Sequence, residues 1–278
     1  TMPLSKEIIF SQPAVTIATS PFLVGDDLAL LAQAASMDFI KHLDLPADGD
    51  YVALEILNGG RYYFVPEAFK AVTGRECAVA SLRAKRSLDA ESGEWKVRIW
   101  ERNEVAVAGS GQHVLIGDTV ATGTTLAGVL QAVCDEMEAK DSWGDISVFT
   151  IVGSATALPL LEDVAARLDA HGRALRLVFA NACYPLDDNG TDMGFHFERG
   201  SFDARARAAF EEALGDYAPH MRCAIWDWGD RFREIDAHLT EIAEYYGGTT
   251  PPAPEWLTAG IARSVAARAA AGSGGGFR

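Results

Sequence analysis

Residues 114–126, Val-Leu-Ile-Gly-Asp-Thr-Val-Ala-Thr-Gly-Thr-Thr-Leu, constrain this chain more than any other stretch. Residues 113–117 read as a central strand, and a helix follows from about 125. Between them lie Asp118, Thr119, Val120, Ala121, Thr122, Gly123 and Thr124. Small residues let the backbone turn tightly, hydroxyls donate hydrogen bonds, and the next helix offers free N–H groups and the positive end of its dipole. A phosphomonoester is the natural ligand of such a loop. Taken alone, a Gly-Thr turn serves equally well as a plain strand-to-helix connection with threonine as the cap.

The neighbouring pattern repeats the alternation. Strands are expected at 51–57, 76–82, 96–100, 113–117, 146–152 and 175–181, with helices at 26–43, 65–73, 125–139, 158–170, 202–214 and 234–246. Alternation of this kind predicts an α/β fold, a mostly parallel sheet flanked by helices, with ligands at the C-terminal strand ends. Expected boundaries are an N-terminal helical segment at 1–49 contributing to a hood, a core at 50–182, a cap at 183–271 and a flexible Gly-rich tail at 272–278.

Charge narrows the partners. Asp and Glu outnumber Lys and Arg 39 to 24, a net charge of −15 in 278 residues, which opposes attraction to nucleic acid and to anionic membrane surfaces. The most apolar early stretch, 21–35, is interrupted by Asp26 and Asp27, so neither a signal peptide nor a membrane span is expected. Cys77, Cys134, Cys183 and Cys223 show no Cys-x-x-Cys spacing, which disfavours zinc and a disulfide framework and fits a reducing, cytoplasmic setting.

The wording of residues 114–126 resembles the thirteen-residue signature of the type I phosphoribosyltransferases, and the uracil branch is the nearest comparison within that family. The resemblance covers about residues 50–182. It implies a phosphoribosyltransferase-like fold in which Ala121, Thr122, Gly123, Thr124 and Thr125 grip the 5′-phosphate of phosphoribosyl pyrophosphate (PRPP). The family carries two adjacent acids facing the ribose hydroxyls. Here Gly117 precedes a single acid, Asp118, whereas the uracil branch keeps the first acid and lacks the second.

The resemblance further implies a pyrophosphate loop after the first core strand, matched by Asn58, Gly59, Gly60 and Arg61, and a mobile basic segment over the reacting centre, matched by Arg83, Lys85 and Arg86. Taken by itself, that basic run reads better as a solvated hairpin with ordinary surface charges; the order of the three loops along the chain is what turns it toward the clamp. Acceptor recognition is expected from Asp192, Met193 and Phe195, or from Trp228 and Asp230, with a packed cap core and an Asp230–Arg231 ion pair as the alternative. His196 and His238 are expected to be packing or capping residues.

The reaction implied is transfer of 5-phosphoribosyl from PRPP to a nitrogen of a nucleobase-like heteroaromatic acceptor, with Mg²⁺ as cofactor, Asp118 beneath the ribose, and a homodimer as the assembly. The metal ligands are not identified by any residue pattern. A non-catalytic PRPP or nucleotide sensor on the same fold is the rival: the intact basic residues favour catalysis and the missing acid favours the sensor.

Overall fold

The computed structural model describes residues 4–57, 59–88, 95–103, 105–109 and 111–272. Seven strands form one sheet: β1 (Leu4–Ile9), β2 (Tyr51–Leu57), β3 (Ala78–Leu88), β4 (Trp95–Arg102), β5 (His113–Gly117), β6 (Ile146–Thr150) and β7 (Leu175–Ala180). Their order is β1-β7-β6-β5-β2-β3-β4, parallel throughout except for the antiparallel β3–β4 edge. Every residue of β6 is buried, as a central parallel strand covered on both faces requires. The mostly parallel, helix-flanked α/β fold expected from the alternation is therefore the one adopted.

Helices α1 (Gln12–Thr19), α2 (Gly25–Leu43) and α3 (Val65–Thr73) join one buried core with the cap, and α4 (Thr124–Ala139) and α5 (Leu158–Asp169) close a second core on the other face. Pro66 in the first turn and Gly74 at φ 72 after the last fix the ends of α3. In the cap, the β8 (Ala182–Cys183) and β9 (Ser201–Phe202) ribbon precedes α6 (Ala204–Leu214), α7 (Asp230–Arg233), α8 (Ile235–Gly247) and α9 (Glu255–Ala271). Phe210, Trp228, Phe232 and Leu239 from the cap belong to the same buried cluster as Phe39, Tyr63 and Phe149.

The structure corrects several expectations. Residues 4–9 add an edge strand to the sheet, so the N-terminal segment is not wholly helical. Helix α2 lies on the sheet face, with Phe39 stacked on Phe149 at 5.0 Å, and does not simply form a hood. The basic run Arg83, Lys85 and Arg86 is strand: β3 continues through it because Arg83, Ala84, Lys85 and Arg86 pair with Glu101, Ile99, Arg98 and Val97 of β4. Helix α9 occupies a stretch given no element from the sequence pattern. Asn58, residues 89–94 and residues 273–278 of the expected tail lie outside the described residues, as does the Arg86 side chain. Among the described residues no helix is long and apolar enough to cross a membrane, and all four cysteines are free.

Candidate functional site

The chain leaves β2 toward one edge of the sheet and returns on its other side at β5, so the order reverses between these two strands. Ligands of open α/β sheets bind outside the carboxyl ends of strands at such a reversal. The β2 loop with Gly59 and Gly60 and the β5 loop from Asp118 to Thr124 both emerge there.

The β5 loop borders a cleft of about 150 Å³ lined by Asp118, Thr119, Val120, Ala121, Thr122, Gly123, Thr124, Thr125 and Leu126, with Gly190 and Thr191 across it. Gly123 adopts φ 81, and any Cβ there would collide with Ala157, so the turn requires glycine twice over. Helix α4 begins at this glycine with no side-chain cap and no acid in its first turn. Thr122 Oγ1 and Thr124 Oγ1 lie 3.2 Å apart, hydroxyl on hydroxyl. The first-turn amides and dipole of α4 are thus available to an anion.

Asp118 sits at the mouth of this loop. Its amide bonds Phe149 O at 3.0 Å, and its Oδ1 accepts the Thr119 amide at 2.9 Å. Burial pushes the carboxyl up to about 7, and the Thr119 amide draws it down only in part. Gly117 is glycine for a reason outside its own loop: a Cβ there would strike the Tyr63 side chain. Tyr63 is fully buried, with its hydroxyl 3.0 Å from Thr119 Oγ1. The ring therefore fills the place from which a first acid would project.

The second loop approaches as closely. A Cβ on Gly60 would come within 3.0 Å of Gly117 O, and one on Gly59 would lie 3.8 Å from Trp228 Cδ1 and 4.0 Å from Asp118 Oδ1. Gly60–Tyr63 forms a 3₁₀ turn, and Phe64 after it is held at φ 53, a backbone that bulky residues seldom adopt. Arg61 is exposed at the start of that turn.

The basic hairpin reaches the same end of the sheet. Leu57, the last residue of β2, pairs with Arg83, so the remainder of β3 runs beyond β2. Val97 of β4 then packs on Gly128, where a Cβ would clash, leaning the hairpin over the N-terminal half of α4. Arg83 is ion-paired to Glu101, and Lys85 is exposed.

The acceptor candidates separate. Met193 and Phe195 are 0% and 1% exposed and belong to the cap core. Asp192 pairs with Arg222 at 3.8 Å and lines a different cleft, of about 570 Å³, with His196 and His220. Asp230 pairs with Arg233 at 3.1 Å. The expected Asp230–Arg231 pair is replaced by a buried Arg231 that donates to Ser20 O and Leu23 O at 2.8 and 3.0 Å, its guanidinium pushed down to about 9 by burial. His238 is a packing residue, with Nε2 2.8 Å from Pro21 O. Of the five candidates, Trp228 is the one found beside Asp118 and Gly59. Tyr63 was not singled out from the sequence; its position directly after the Gly-Gly loop was the available signal.

No family model matches the chain, and no curated protein matches it. Among solved structures it is similar to a hypoxanthine phosphoribosyltransferase from Staphylococcus aureus (14% identity over 49% of this chain and 68% of that one, TM-score 0.35). It is similar to a hypoxanthine-guanine phosphoribosyltransferase from L. donovani (15%, 58% and 85%, 0.36). A third is an adenine phosphoribosyltransferase from Trypanosoma brucei in complex with AMP, pyrophosphate and ribose-5-phosphate (13%, 59% and 68%, 0.36).

Proposed function

We propose that this chain transfers a 5-phosphoribosyl group from PRPP to a nitrogen of a nucleobase-like heteroaromatic acceptor, releasing pyrophosphate. The observation that carries this reading is the meeting of three features at one strand reversal: a glycine-gated loop on the uncapped start of α4, a Gly59-Gly60 backbone approach, and Asp118 between them. The wording of residues 114–126 directs the phosphate reading toward a phosphoribosyl ligand.

In this reading the amides and hydroxyls of residues 121–125 hold the 5-phosphate, and the backbone at Gly59 and Gly60 receives the pyrophosphate, joined by Arg61 and the hairpin cations Arg83, Lys85 and Arg86. The acceptor nitrogen forms a bond to the anomeric carbon as the bond from that carbon to the pyrophosphate oxygen breaks; both electrons of that bond leave with pyrophosphate, and any proton the nitrogen carries passes to solvent. Asp118, as a carboxylate, stabilises positive charge developing on the sugar. Among the described residues no cluster of three His, Cys, Asp or Glu forms a metal cage. One carboxylate beside substrate phosphates is the donor set that Mg²⁺ commonly uses, so the residues fit that ion, with Asp118 and the ligand's own oxygens holding it. When bound, Mg²⁺ would neutralise charge on the leaving pyrophosphate.

A second reading has its own observation. Tyr63 occupies the space of a first acid at position 117, as a site would if it bound PRPP or a nucleotide without performing ribose chemistry. Calorimetry with PRPP and Mg²⁺, followed by a pyrophosphate-release screen over purines, pyrimidines and other heteroaromatics, separates the two. Release with one acceptor supports the transferase, and binding with no release supports the sensor. No binding overturns both.

A further inference from the structure

The cleft at the β5 loop has two walls, and the second comes from the cap. Gly190 and Thr191 stand across it from Thr122 and Gly123. The approach is close: a Cβ on Gly190, which adopts φ 73, would lie 3.7 Å from Thr122 Cγ2. This wall is a built turn. Asn189 Oδ1 accepts the Thr191 amide at 3.0 Å, the Asp192 amide at 2.9 Å and the Thr191 hydroxyl at 3.1 Å. Leu186 bridges Met193 at the base of the turn, and the Ala224 amide bonds Met193 O at 2.9 Å, which ties the turn to the buried cap.

The charges of the turn are kept off the cleft. Residues 187–192 read Asp-Asp-Asn-Gly-Thr-Asp, half of them acidic, yet the two that line the cleft are the uncharged Gly190 and Thr191. Asp187 and Asp192 line the larger cleft on the other flank, each beside an arginine, Arg199 at 3.9 Å and Arg222 at 3.8 Å. Asp188 is exposed and borders neither cleft. Asp118, ahead of the loop's small residues, is the one carboxylate on the lining. A turn that holds its three acids away from the open start of α4 leaves that space to an anion.

Of the three protons that Asn189 Oδ1 receives, the hydroxyl's can leave without opening the turn, because the two amides hold the backbone by themselves. A phosphate oxygen is a charged acceptor and draws a hydroxyl about twice as strongly as a neutral carboxamide oxygen does. We propose that the Thr191 hydroxyl turns from Asn189 to the 5-phosphate, so that the cap closes the phosphate site opposite residues 121–125. The inference rests on the phosphate reading of the β5 loop and adds a ligand contact from outside the contiguous motif.

The test is calorimetric titration of the full chain with ribose 5-phosphate and with inorganic phosphate, in about 0.15 M salt, where charges more than about 8 Å away are largely screened. Thr191→Val keeps the shape, removes the hydroxyl and should weaken both ligands by about tenfold. Thr191→Ser should bind like the parent. Thr191 is exposed, so a charge can be placed there without burying it. Thr191→Asp should weaken both ligands by more than about tenfold, and Thr191→Lys should tighten them several-fold. Asp188→Asn removes a charge from the same turn but not from the cleft, and should change affinity by less than about twofold. Unchanged affinity in Thr191→Val, or in both charge variants, overturns the contact. So does an effect of Asp188→Asn as large as that of Thr191→Lys, which would make the response one of net charge alone. A parent protein that binds neither ligand overturns the phosphate site and this inference with it, whereas a parent that binds both, with Thr191 variants that bind as it does, overturns the inference alone.

Discussion

The two ends of this sheet are finished differently. Where the strands begin, polar groups settle their bonds within the fold: His113 Nε2 meets Ser147 Oγ at 2.8 Å, and Asp145 takes the Ala174 amide at 2.9 Å. At the β1 edge, Arg176 grips Glu7 with two bonds of 2.9 and 2.8 Å, which, with smaller help from His42 and Ser5, hold the Glu7 carboxyl down at about 2 against its burial. Where the strands finish, Asp118 is pushed up to about 7, the Trp228 indole N–H has no partner among the described residues, and α4 starts without a side-chain cap. A fold that pairs its polar groups at one end has the means to pair them at the other. The difference marks the end built for something outside the chain.

The sharpest way to break this contrast is Asp118→Asn. Turnover should fall by about a thousandfold while phosphate affinity stays within about threefold, as steady-state rates and calorimetry will show. An undiminished rate would remove Asp118 from the chemistry. Next in size is Gly117→Asp, which adds an acid at the site and yet should destabilise the protein by about 2–4 kcal/mol in urea unfolding, because the new side chain meets Tyr63. A neutral result would undo the packing account of the missing acid.

Protonation tests both ends together. The Asp118 carboxyl is raised from 3.8 to about 7, so the folded state holds its proton more tightly than the unfolded state, and stability of the ligand-free protein is lost as pH rises through that window. His113 has the opposite sign: burial lowers it from 6.5 to about 4, and its contribution is lost as pH falls from 6.5 toward 4. Urea unfolding at stepped pH should show Asp118→Asn abolishing the first slope and His113→Gln the second. Exchanged slopes would contradict the contrast. The smallest effect belongs to the hairpin. Lys85→Ala should change stability by less than about 0.5 kcal/mol, as suits an exposed strand residue, while weakening pyrophosphate several-fold.

How much of this could be read from the residues depends on what each element packs against. The strand at 113–117 and its loop are readable because the buried stretch from Val114 must be apolar and a phosphate-gripping turn must be small and hydroxylated. Helix α3 is readable to the residue because Pro66 and Gly74 act locally. The N-terminal strand escapes notice because an edge strand is only partly buried and tolerates Ser5, Lys6 and Glu7. The far half of β3 is disguised by its cations, since a hairpin with one face in solvent carries charge without ceasing to be a strand. Helix α9 is rich in alanine and small residues, with few apolar anchors to give it a face. Within the site, residues 121–125 and Asp118 follow from a contiguous motif. Trp228 is readable as an aromatic candidate and Tyr63 only as the neighbour of the Gly-Gly loop; that both pack near Asp118 is a product of tertiary structure that the sequence does not give.

The contact between Gly117 and Tyr63 has a historical consequence. These residues are far apart in sequence yet occupy one volume, so neither can change size independently of the other. A lineage with glycine and tyrosine here cannot acquire a neighbour to Asp118 in one mutational step, because an acid at 117 arrives while the ring is still in its way. Shrinking residue 63 first leaves a hole in a fully buried place. Divergence in this part of the protein is therefore channelled through paired replacements, and relatives with an acid at the position of Gly117 should carry a smaller side chain at that of Tyr63.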